Sequence, residues 1–165
     1  MRIRTLFLLL LTSLLSFQTL FAQDRATVKV SGEVTKPLQL SLEDLQKMKP
    51  ATAVLKDRDG KEHPYTGVAV SDILTLAGVT TGQQLHGENL AKFLLVKCAD
   101  GYEVLFSLAE LDAAFTDKQA ILAYQLEGNA LPAGKGPFRL VVPGEKRPAR
   151  SCQQVVEMVI RFAKD

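Results

Sequence analysis

Two Asp-Gly pairs constrain this chain more than any other feature. Asp59-Gly60 separates residues 51–56 from 62–65, and Asp100-Gly101 separates residues 93–98 from 102–106. Aspartate followed by glycine suits a tight hairpin turn, because glycine accepts positive φ freely and aspartate tolerates it. The runs on either side carry strand-like apolar residues, so both spacings predict β-hairpins. A further strand over residues 120–126 leads through a Gly128-Asn129 turn and a loop bearing Gly134 and Gly136 to a buried strand over 138–142.

Around these hairpins the pattern gives strands at both ends and only short helices. Val28, Val30 and Gly32 to Val34 alternate as a first strand that Leu38 and Leu40 extend beyond Pro37, and residues 155–162 alternate as a last one. Ser41, followed by Glu43 and Asp44, is placed to cap a helix from Leu42 to about Met48 that stops before Pro50. Residues 70–77 have apolar side chains at helical spacing and end at Gly78, a suitable left-handed cap. Ser107 is placed to cap a short helix reaching Phe115, and residues 80–89 read as a polar loop. Short helices among hairpin-linked strands predict an α+β, β-rich domain. At 165 residues and 47% hydrophobic, one domain with a substantial core is expected.

The first residues read as a leader. Arg2 and Arg4 precede an apolar run from Leu6 to Leu15, and Leu20-Phe21-Ala22 puts a small residue before Gln23. Cleavage there gives a signal peptide over 1–22 and a mature domain over 23–165. Thr12, Ser13, Ser16 and Gln18 interrupt the run, which falls short of the roughly 20 apolar residues that a membrane span needs. No stable membrane anchor is expected, and the mature protein is expected in the periplasm or outside the cell. The two arginines are not adjacent, which points to export in the unfolded state and not to the twin-arginine route taken by cofactor-loaded proteins. Loss of Arg2 and Arg4 brings the formal net charge from +2 to about zero, so no field favours nucleic acid as a partner.

Several side chains could carry chemistry. Lys146, Arg147 and Arg150 lie in one loop, Arg139 on the strand before it and Lys135 between Gly134 and Gly136. Forked guanidinium donors and lysine point charge beside glycine amides suit an anion. Arg139 interrupts an apolar strand and must face solvent or meet a carboxylate, with Glu127, Glu145 and Asp100 as candidates. Cys98 shares a strand face with Leu94 and Val96, and Cys152 follows the basic loop. The two are buried thiols, a disulfide of an oxidising compartment, or a metal or redox site. Tyr124 reads as strand packing, and His63 and His86 as surface residues without metal spacing. No nucleophile elbow, Walker loop, dinucleotide fingerprint or Cys-Xaa-Xaa-Cys pair is present.

Taken together, Gly32-Glu33-Val34, Tyr65-Thr66-Gly67-Val68, Asp72-Ile73-Leu74, Asp100-Gly101-Tyr102 and the whole stretch from Ala120 to Arg150 resemble the molybdopterin-binding domain of the sulfite oxidase type of oxidoreductases. The resemblance covers nearly all of the mature chain. It implies that family's β-rich fold, a mixed sheet with short helices. It also implies a molybdopterin cofactor, two-electron redox at molybdenum and an electron carrier outside the protein. The segment after Arg139-Leu140-Val141-Val142-Pro143 supplies basic contacts to the pterin phosphate in that family, which makes Arg139, Lys146 and Arg150 the candidate cofactor-binding residues. The family's catalytic members hold molybdenum with a cysteine in the segment before Tyr65, and residues 52–65 contain none. The alternative is therefore a non-catalytic periplasmic module that binds an anionic small molecule or a protein partner in the same cleft.

Overall fold

Alternation of Val28 and Val30 with polar neighbours does begin a strand, and the chain then folds back on it. The computed structural model describes residues 26–163. Within them the elements are β1 (Thr27–Gly32), β2 (Leu38–Ser41), α1 (Leu42–Lys47), β3 (Pro50–Lys56), β4 (Glu62–Ala69), α2 (Val70–Leu76), β5 (Lys92–Cys98), β6 (Glu103–Ser107), β7 (Ile121–Leu126), β8 (Asn129–Ala130), β9 (Arg139–Val141) and β10 (Val155–Phe162). The expected leader lies outside the described residues. Among those residues, no helix is long and apolar enough to cross a membrane.

The strands form two sheets. The first runs β2-β1-β10-β5-β6 and is mixed, because β1 and β10 are parallel while their other pairings are antiparallel. The second runs β3-β4-β7-β8, with β9 also paired to β7. Together with the short helices this is the α+β, β-rich architecture expected. The principal core lies between the sheets and joins Val28, Val30, Leu94, Val96, Met158 and Ile160 of the first to Val68, Leu122 and Leu140 of the second. Ile73 and Leu74 of α2 and Leu45 of α1 pack into it. A smaller cluster of Ala53, Leu55, Tyr65, Ile121, Ala123 and Val141 fills the opposite face of the second sheet.

Four local expectations need correction. Leu38 and Leu40 do not extend β1: they form β2, paired antiparallel to it, with Leu38 opposite Val30 and Leu40 opposite Val28. The apolar face stays the same, so alternation alone could not reveal the reversal. The turn after β7 is Glu127-Gly128, one residue earlier than read, because Leu126 pairs with Asn129 and both turn residues have positive φ. The helix after Ser107 is a short 3-10 turn, Leu108–Leu111, and never reaches Phe115. Beyond it, the Asp112 carboxylate accepts from the amides of Gly82 and Ala114, so the chain turns there. Finally, residues 80–89 include 3-10 turns at Gly82–Gln84 and the start of Gly87–Ala91.

The caps are as expected. Ser41 accepts from the Asp44 amide at 3.2 Å while the Asp44 carboxylate accepts from the Ser41 amide at 3.0 Å, a reciprocal capping box. Ser41→Ala should lower unfolding stability by about 1 kcal/mol in urea titrations, with Ser41→Asn losing far less.

Candidate functional site

Asp57 directly follows β3 and opens the turn to β4. Its Oδ1 accepts from the Arg58 amide at 2.8 Å, and Gly60, at φ 79°, donates its amide to the Asp57 carbonyl at 2.9 Å. That arrangement leaves Oδ2 free to face inward. There it accepts from Arg139 Nη1 at 2.8 Å and from the Tyr65 hydroxyl at 3.3 Å. Arg139 Nη1 also donates to the Tyr65 hydroxyl, and the guanidinium stacks 5.0 Å from the Tyr65 ring centroid. Arg139 does meet a carboxylate, but none of the three expected from sequence.

The electrostatics follow from burial. The Arg139 side chain is 3% exposed and that of Asp57 15%. The guanidinium holds the Asp57 carboxyl down at about 2 against an ordinary 3.8, and burial pushes the Tyr65 hydroxyl up. Arg139 Nε is buried with no hydrogen-bond partner among the described residues. An unsatisfied donor of this kind is costly unless something fills it.

A cleft of about 270 Å³ opens beside this group, lined by Arg58, Asp100, Tyr102, Arg139, Ser151 and Cys152 among others. Tyr102 is fixed in its lining by a 3.1 Å hydrogen bond from its hydroxyl to the Ala149 carbonyl. The three basic residues expected at a single site are not together. Arg150 lines a different cleft of about 360 Å³ with Phe106, Glu110, Phe115, Lys118 and Glu145. Its Nε donates to Glu145 at 2.8 Å and its Nη1 to Glu110 at 2.9 Å, and the group stacks 4.4 Å from the Phe106 ring centroid. Lys146 is exposed and lines neither cleft.

Asp57, Arg58 and Tyr65 were missed as site residues. Asp57-Arg58-Asp59-Gly60 reads completely as turn chemistry, and the link from Asp57 to Arg139 spans 82 residues. The only available signal was the charged residue in apolar β9, which required some carboxylate without naming it.

His63 also departs from expectation. Its Nδ1 and Nε2 lie 2.8 Å from Glu127 and Asp59, so both carboxylates favour the doubly protonated ring and raise its pKa, Glu127 most. A raised pKa in the folded state gives stability that is complete below the ordinary value of 6.5 and is lost as pH rises through the folded pKa. The melting temperature should therefore fall with rising pH above neutrality by more in the wild type than in His63→Gln. Equal slopes would reject the coupling. Among the described residues, no group of three or more His, Cys, Asp or Glu could hold a metal ion.

These features converge on one class: a two-sheet α+β domain with a basic residue buried beneath a polar cleft. Residues 16–160 match the family described as oxidoreductase molybdopterin binding domain, and the chain belongs to it. Among solved structures, it is similar to the sulfane dehydrogenase SoxCD from Paracoccus pantotrophus, with 23% identity and a TM-score of 0.64. The similarity covers 84% of this chain and 39% of that one, so this chain spans well under half of the neighbour's length. No curated protein sequence matches.

The family's ligand can be tested against the cleft. The guanidinium residues Arg58 and Arg139, which both line it, fit the anionic part of a pterin. The metal is a different matter. Cys98 and Cys152 are the chain's two cysteines, and burial pushes both thiols up, Cys152 the more strongly. The residues fit an anion, and residues 52–65 offer molybdenum no cysteine.

Proposed function

We propose that this chain is an exported, non-catalytic member of the molybdopterin-binding-domain family that binds an anionic ligand in the Arg139 cleft without the molybdenum reaction. The observation that carries the reading is the Asp57 carboxylate. In the segment where the family's catalytic members place a thiolate, this chain has Asp57, and that carboxylate is tied up by Arg139 and Tyr65. Arg139 lines the cleft, and Arg58 adds a second cation at its wall. A pterin phosphate or another small oxyanion matches this chemistry. Arg139 is the one of the three expected basic residues that this reading retains.

A redox reading has one observation in its favour: Cys152 lines the same cleft as Arg139. Under it, the domain passes electrons to a periplasmic carrier. Elemental analysis for molybdenum and a fluorescence assay for released pterin separate the two, on protein purified from the periplasm with its own leader. Absence of stoichiometric molybdenum, in a host that loads a control enzyme, supports the binding module. Stoichiometric molybdenum overturns it. Calorimetric titration with inorganic phosphate then tests the location, and Arg58→Ala should weaken binding by roughly tenfold, the scale of one charge-assisted hydrogen bond. Unchanged affinity would reject this cleft.

A further inference from the structure

Cys98 and Cys152 stand 54 positions apart in sequence and lie in the same buried core cluster. Cys98 ends β5, and its amide donates to the Tyr102 carbonyl at 2.9 Å, closing the turn to β6. On the other side, Gln154 takes a left-handed backbone at φ 53° just before β10, whose register with β5 shifts between Val155 and Glu157. That local reversal lets the Ala99 amide donate to the Gln154 carbonyl at 2.9 Å and returns the segment carrying Cys152 alongside the end of β5. The Cys152 carbonyl accepts from the Leu140 amide at 2.9 Å, which fixes it from the β9 side as well. Both cysteines are 5% exposed, and each thiol shifts the other's titration.

We infer that Cys98 and Cys152 are a modification site: a dithiol that closes to a disulfide and ties the end of β5 to the wall of the Arg139 cleft. Export, part of the function proposed above, supplies the oxidising compartment, and the oxidant is a small-molecule or protein disulfide. A thiolate formed as the buried pair opens, or before the chain finishes folding, attacks one sulfur of that disulfide. The oxidant's S–S bond breaks and its first thiol leaves with a proton. The second cysteine then attacks the mixed disulfide, forms the Cys98–Cys152 bond and releases the second thiol. The pair loses two electrons and two protons, and the oxidant gains them. The closed bond holds the segment carrying Ser151, Cys152 and Gln153, all of which line the cleft.

The test is intact-mass analysis of the full-length gene product purified from the periplasm, denatured with iodoacetamide and no reductant. The expected product is about 2 Da lighter than the dithiol and takes up no alkyl group, while prior reduction gives two. Reduction should also lower the urea midpoint of the wild type and leave that of the Cys98→Ala, Cys152→Ala double variant unchanged. A separate incubation of reduced protein with oxidised glutathione in mild urea isolates the geometry from the compartment. Closure in that reaction, from protein that keeps its leader and its free thiols in the cell, upholds the pair and rejects export. Two alkylated cysteines after both treatments overturn the inference.

Discussion

Asp57→Ala is expected to lower the unfolding free energy by about 3–4 kcal/mol, the scale of leaving a buried charge without its partner. The substitution removes little packing, since Asp57 lies at a turn, but it strands a guanidinium whose side chain is 3% exposed and whose Nε is already unsatisfied. Arg139→Met should cost less, because it removes the buried charge instead of orphaning it, and Asp57 at 15% exposure can rehydrate. Equal losses in urea titrations would show that the ion pair is not the origin of the effect. The pH dependence gives an independent readout. Asp57 is held at about 2 against an ordinary 3.8, so its contribution is present above the higher value and is lost as pH falls toward the lower one. The drop should amount to about 2 kcal/mol and be absent in Asp57→Asn, where no carboxylate titrates.

Gly32→Ala is the second large effect. Gly32 has φ 91° at the end of β1, and a Cβ there would lie 2.0 Å from the Ile160 carbonyl oxygen. That oxygen cannot move aside freely, since it accepts from the Glu33 amide at 2.9 Å within the parallel pairing of β1 and β10. Overpacking and left-handed strain together should cost about 3–4 kcal/mol. Gly60→Ala supplies the comparison, having φ 79° but nothing within 4 Å of the added atom. It should lose only about 1 kcal/mol, the backbone part alone. A matching loss at both glycines would reject the steric argument. Gly32 belongs to the Gly32-Glu33-Val34 element of the family resemblance, and the close approach to β10 gives a physical reason for glycine there.

The hairpins at Asp59-Gly60 and Asp100-Gly101, the caps at Ser41 and Ser107 and the inward face of Cys98 were all legible from the chain, as was the α+β class. Each depends on a turn, a cap or an alternation set within a few residues, where backbone sterics and local hydrogen bonds dominate. The family followed from several short motifs read together, because their order along the chain carries more information than any one of them.

What the sequence left open was decided across the sheets. The last strand, β10, lies in the middle of the first sheet between β1 and β5, and no local pattern says which strands it separates. Basic residues that are neighbours in sequence end in different clefts, because Arg139 sits on β9 facing Tyr65 while Arg150 lies in a 3-10 turn facing Glu110 and Glu145. Asp57 became a site residue, and the two cysteines a pair, only through contacts bridging 82 and 54 positions. Such contacts are selected by the packing of the whole core, in which every strand pairing competes with the others, whereas a turn or a cap is settled by the few residues that form it.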